Sequence, residues 1–138
     1  MATPRTRPEV EREIKRTLGI VPSFFDRMPD ATLDFEWTLF QRFEMQEEGM
    51  AIPAKYRQLL GVGIHSETKC EYCTLFHSEF AKLLGATDEE VQEAVHYAKH
   101  TVGLSVYLNG IREPLDQFTN EVEEIIDFLG NTTAAKAV

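Results

Sequence analysis

A chain of 138 residues, 43% apolar and 27% charged, has the size and composition of one folded domain with its own core. Its formal charge is −9, from 14 basic and 23 acidic residues. That balance speaks against a nucleic-acid partner, which needs a basic face, and against an anionic membrane surface. No apolar run approaches the ~20 residues of a membrane-spanning helix, and residues 1–8 lack the apolar stretch of a secretory leader. The expectation is a cytoplasmic protein of one domain, with a core over about residues 8–130. Residues 1–7 and 131–138 are expected to be flexible.

Pro8 suits the first turn of a helix, with Glu9, Glu11 and Glu13 near its positive end. Val10, Ile14 and Leu18 give it a thin apolar stripe, and Gly19 stops it. Phe24, Phe25 and Met28 make one short turn before Pro29. Asp30 or Thr32 caps the next helix, whose apolar set runs Leu33, Phe35, Trp37, Leu39, Phe40, Phe43 and Met45. A helix apolar on two sides is either core or shared with another subunit. Pro53 opens a further helix carrying Tyr56, Leu59, Leu60, Val62 and Ile64. Gly61 and Gly63 on it point to close helix packing. They do not form a phosphate loop, since the third glycine and the preceding strand are missing.

The chain's two cysteines follow, in Cys70-Glu71-Tyr72-Cys73, with His77 four residues after Cys73. Tyr72, Phe76, Phe80, Leu83 and Leu84 recur at helical spacing, which predicts a helix over 70–84. His77 then shares a face with Cys73. The helix N-terminus favours a thiolate there, and an imidazole lowers a thiol pKa and accepts its proton. The helix terminus favours Cys70 as the more acidic thiol, whereas His77 favours Cys73. Two thiols one turn apart can close a disulfide, so the stretch reads as a dithiol redox centre.

Downstream, Gly85 is a C-cap, and Thr87 with Glu90 makes a capping box. Val91, Ala94, Val95 and Ala98 form the stripe of one helix, and a second segment spans 101–112. Pro114 starts the last helix. Its seam of Ile111, Leu115, Phe118, Val122, Ile125 and Leu129 alternates by four and three, and Gly130 closes it. No stretch reads as a strand, so the fold class is all-α.

These residues resemble the alkylhydroperoxidase D-like, or carboxymuconolactone decarboxylase, family. The resemblance rests on residues 70–77 with the helix before them, on Gly19-Ile20-Val21-Pro22-Ser23-Phe24-Phe25, and on residues 87–94. It implies a helical core that assembles into a trimer or hexamer and reduces hydroperoxides through the cysteine pair. It further implies that Cys73 attacks the peroxide, that Cys70 resolves the intermediate and meets the reductant, and that His77 relays protons. The reductant would be an external dithiol, either a redox partner protein or a lipoyl group, with no tightly bound cofactor. The family's relay usually has a glutamate twelve residues before the first cysteine, where this chain has Gln58. Glutamine cannot accept a proton as a carboxylate does, so Glu67 is the nearest replacement. Tyr72 stands where the family often has a histidine, and is a candidate donor in the pocket.

Other readings of the same residues stay open. The chain can be a non-enzymatic helical oligomer whose Cys pair is a redox sensor or a metal clip. It can also be a lactone enzyme of the decarboxylase type, which would not need the cysteines. Structural zinc wants four ligands. His65 joins Cys70, Cys73 and His77 only if the backbone folds back. His96 and His100 sit four apart with no clear third ligand and read as surface or interface residues.

Overall fold

The computed structural model describes the backbone of residues 4–136 and side chains up to residue 132. Among the described residues seven α-helices follow one another: α1 (Arg7–Leu18), α2 (Ser23–Asp26), α3 (Asp30–Phe40), α4 (Ala54–Glu67), α5 (Glu71–Leu83), α6 (Asp88–Ile111) and α7 (Leu115–Lys136). A π-turn (Gln41–Met45) extends α3. No strand occurs among the described residues, so the all-α expectation holds.

Packing groups the chain into two compact units, the first ending at Val95 and the second beginning at His96. In the first unit, α1, α2 and α3 bury Val10, Ile14, Phe25, Leu33 and Trp37 as a core. The edge of Phe25 meets Trp37 at 5.5 Å and 87°, and Phe40 stacks on Trp37 at 5.7 Å. The buried indole N–H of Trp37 donates to Glu13 at 3.1 Å, which removes the cost of hiding it.

Several boundaries differ from expectation for identifiable reasons. Residues 5 and 6 are anchored rather than loose. The Arg5 backbone and side chain both donate to Asp34, and its guanidinium also pairs with Glu13. Thr6 forms a capping box with Glu9. Pro29 is the N-cap of α3, so Asp30 is its first residue, where its charge meets the positive helix end. The two segments expected around residue 100 are one helix, α6, because Lys99-His100-Thr101 contains no breaker. Helix α7 runs through Gly130 to Lys136, since an internal glycine costs only about 1 kcal/mol. The last two residues of the expected tail lie outside the described residues.

Thr87 caps α6 as expected. Glu90 N–H donates to the Thr87 hydroxyl at 3.0 Å, and Thr87 N–H donates to the Glu90 carboxylate at 2.8 Å. Replacing Thr87 with alanine is expected to lower stability by about 1 kcal/mol in urea denaturation, with an unchanged m-value.

Candidate functional site

The site is built in the first unit, where α4 packs along α5 and against the π-turn. A π-turn adds one residue to a helical turn, and such bulges recur at functional positions. Here it ends with Gln46 N–H donating to the Gln41 carbonyl at 2.9 Å. The guanidinium of Arg57 on α4 secures the loose end, donating to the carbonyls of Phe43 at 2.8 Å, Gln46 at 2.5 Å, and Ile52. The carbonyls that a broken helix leaves without partners are thereby satisfied. The result points Glu44 at α4.

Gln58, one position along α4, is fully buried. Its amide nitrogen donates to the Glu44 carboxylate at 2.8 Å and to the Glu44 backbone carbonyl at 3.2 Å. Its amide oxygen lies 2.7 Å from His77 Nδ1. A carboxylate offers only lone pairs, so the Gln58 NH2 must face Glu44 and its oxygen must face the imidazole. It follows that His77 carries its proton on Nδ1, and Nε2 is left as a free acceptor. Gln58 does not accept a proton. It links the imidazole to Glu44 and sets the tautomer.

Gly61 makes room for that ring. A Cβ there would lie 2.5 Å from His77 Cγ, so only glycine lets the imidazole sit against α4. On its other side His77 stacks on His65, with ring centres 5.1 Å apart and planes 4° apart. Burial pushes the His77 pKa down; the His65 ring adds to this and Glu44 opposes it. The neutral imidazole is thus the resting form.

The cysteines come from the turn between α4 and α5. Lys69 takes the left-handed conformation, φ 58°, just past the end of α4. That reversal lets Cys70 N–H donate to the His65 carbonyl at 3.1 Å. The backbone therefore does fold back, and Cys70 becomes the N-cap of α5. Both thiols are free. The Cys70 thiol is pulled below its ordinary pKa, first by the Cys73 S–H donating to it, then by the backbone N–H groups of Cys73 and Tyr72. Donating that bond pushes Cys73 up, and burial and the charges of Cys70 and Glu44 push the same way. The two shifts run in opposite directions, so Cys70 is the more acidic thiol of the pair.

This ordering is testable. Limited alkylation with iodoacetamide near neutral pH is expected to mark Cys70 before Cys73, as read by peptide mass mapping. Cys73→Ala should slow Cys70 labelling several-fold, because it removes the thiolate's main donor.

Of the residues singled out from sequence, the structure joins His77 to Gln58 and Cys70 to Cys73, with His77 one turn after Cys73 on α5. It does not bring Glu67 or Tyr72 to the imidazole. Glu67 ends α4 on the exposed side, and the Tyr72 side chain is 80% exposed; neither bonds to His77 or Gln58. The carboxylate at the imidazole is Glu44, not Glu67. Sequence reasoning missed Glu44 because it lies 14 residues before Gln58 across a turn with no local signal. It set His65 aside because the fold-back at Lys69 is not legible in a lysine. His96 and His100 are exposed.

An all-α chain with two free cysteines at a helix N-terminus and, on the same helix, an imidazole fixed by a buried amide belongs to the class of helical dithiol proteins. A family model for the carboxymuconolactone decarboxylase family matches residues 29–112, more than half of the chain, and the chain belongs to that family. Its fold is similar to the crystal structure of the alkylhydroperoxidase AhpD core from Rhodospirillum rubrum. The TM-score is 0.69 at 20% identity, over 86% of this chain and 97% of that one. No curated protein sequence matches. None of the described helices is long and apolar enough to cross a membrane.

Proposed function

We propose that this chain is a dithiol peroxidase or disulfide oxidoreductase that reduces organic hydroperoxides through Cys73 and Cys70. The observation that carries this reading is the pair of free cysteines at the start of α5, one turn before an imidazole held by Gln58 and Glu44. The proton on Cys73 is taken up by His77 Nε2 or by the Cys70 thiolate. The Cys73 sulfur then attacks the terminal peroxide oxygen and the O–O bond breaks. The products are a Cys73 sulfenic acid and an alkoxide, which takes one proton to become the alcohol. The Cys70 sulfur next attacks the Cys73 sulfur. Hydroxide leaves, takes a proton as water, and the Cys70–Cys73 disulfide forms. An external dithiol, a partner protein or a lipoyl group, reduces it by exchange.

An apolar cleft of about 250 Å³ supports an organic substrate. Phe24, Phe25, Met28, Phe40 and Phe43 line it together with Glu44, the carboxylate of the site. Apolar side chains left exposed, including Phe35, Leu75 and Leu83, and Leu115 on α7, support assembly into a trimer or hexamer. The same reading keeps the protein in the cytoplasm, where thiols stay reduced.

The test is steady-state turnover of cumene hydroperoxide with dihydrolipoamide as reductant. Turnover is expected in the wild type and absent in Cys73→Ser. Activity on a lactone substrate that survives replacing both cysteines with serine would favour decarboxylase-type chemistry instead.

A further inference from the structure

We propose that the reduced chain holds a site for a thiophilic divalent cation, of which Zn2+ is the natural probe, formed by Cys70, Cys73 and His65. The ligand atoms of these three side chains lie within 4.8 Å of one another. A tetrahedral zinc with two sulfurs and one nitrogen needs them roughly 3.5–3.8 Å apart, from bond lengths of ~2.3 and ~2.0 Å. Small side-chain rotations close that gap.

The backbone keeps the three together. Cys70 N–H donates to the His65 carbonyl, so the first cysteine lies over the last turn of α4, where His65 stands. Cys73 follows one turn into α5. The His65 ring is fixed on one face by stacking on His77 at 5.1 Å. Its Nδ1 lies 3.4 Å from the Thr68 hydroxyl, a contact that helps to orient the ring. His77 is not part of this group of three, and its Nδ1 is engaged by Gln58 at 2.7 Å. Both cysteines are half-exposed, so the fourth position on the metal is open to water or to a small thiol. Soft sulfur with one imidazole selects Zn2+ or Cd2+ over Mg2+ or Ca2+.

Binding replaces the remaining thiol protons with the cation, and no electron moves. The same two sulfurs cannot ligate a metal and share a disulfide. The metal-bound and disulfide states therefore exclude each other: the cation shields the thiols, and oxidation to the disulfide releases it. The site itself rests on the ligand geometry and stands whether or not the chain turns over peroxide.

The experiment is an anaerobic Zn2+ titration of the reduced full chain against a chromophoric chelator, with Cd2+ followed by thiolate-to-metal charge-transfer absorption. One equivalent is expected to bind reduced wild type and none the disulfide form. His65→Ala should weaken binding at least about tenfold. Replacing His96 and His100 with alanine should leave it unchanged. Zinc-edge X-ray absorption on the wild type should report two sulfurs and one imidazole nitrogen, a readout that needs no variant to fold. Equal affinity in His65→Ala, binding by the disulfide form, or a zinc shell without sulfur would each overturn the proposal.

Discussion

Replacing Gly61 with alanine is expected to destabilise the protein by about 1–3 kcal/mol and to slow peroxide-driven disulfide formation at least roughly tenfold. The added Cβ would stand 2.5 Å from His77 Cγ, 2.6 Å from Nδ1 and 2.7 Å from Cδ2. A flexible side chain could swing away from such a clash. This ring cannot, because Gln58 holds its Nδ1 and His65 stacks on its face. Either α4 and α5 separate or the imidazole leaves its place, and both outcomes are costly. Gly103→Ala on α6 is the matched control: its Cβ would meet nothing within 4 Å. There the change should be neutral or stabilising by up to about 1 kcal/mol, since alanine is the better helix former. Urea denaturation and thiol-trapping kinetics on both variants check the contrast.

The second large effect is expected at Gln58. Gln58→Leu removes the acceptor of His77 Nδ1–H and the amide donor to Glu44 in one step. Each buried group left without a partner costs about 1–3 kcal/mol. With the tautomer no longer set, the rate of disulfide formation should fall roughly 100-fold. Gln58→Glu has the opposite electrostatic sign. It sets a second carboxyl against Glu44 and, where ionised, against His77, so it raises the His77 pKa. The pH dependence of stability separates the two states of the ring. In the wild type, burial holds the folded His77 pKa below its unfolded value. The folded chain then binds fewer protons than the unfolded one in that window. This contribution is complete above about pH 6.5, the ordinary imidazole value, and is lost as pH falls through it toward the folded pKa. Gln58→Glu should shrink or reverse that acid-side loss, and Gln58→Ala should not. Stability of the three proteins measured across that range by denaturant titration decides the point.

How much of this was legible in the sequence follows from the range of the interactions. The helices read well because their signals are local: Pro8, the four-residue spacing of Val10 and Ile14, and the Thr87–Glu90 box each act within a turn or two. The helix that carries Cys73 and His77, with Cys70 as its cap, was legible for the same reason, since its signals lie within a few turns. Gly61 suggested close packing from its residue type, and its neighbour is the His77 ring itself. What was not legible crosses between elements. Glu44 reaches the site only because the π-turn and the Arg57 clamp aim it there, and neither leaves a periodic trace. The glutamine at position 58 looked like the loss of a relay. With Glu44 in view it is an amide linking a distant carboxylate to the imidazole. Glu67 is near Cys70 in sequence but faces solvent, so proximity along the chain was the wrong guide. His65 meets the thiols through a left-handed Lys69, a conformation that lysine seldom adopts and that its presence does not announce.

On the peroxidase reading, the fold activates these thiols toward a hydroperoxide. This is tested most directly by intact-mass kinetics on reduced protein given one equivalent of an alkyl hydroperoxide, with thiols trapped over time. Folded wild type, His77→Ala and urea-unfolded wild type are compared. A Cys70–Cys73 disulfide should form much faster in the folded chain than in the unfolded one, and His77→Ala should slow it. Equal rates in the folded and unfolded chains would mean that the pinned imidazole and the paired thiols contribute nothing to reactivity, and would overturn the peroxidase reading.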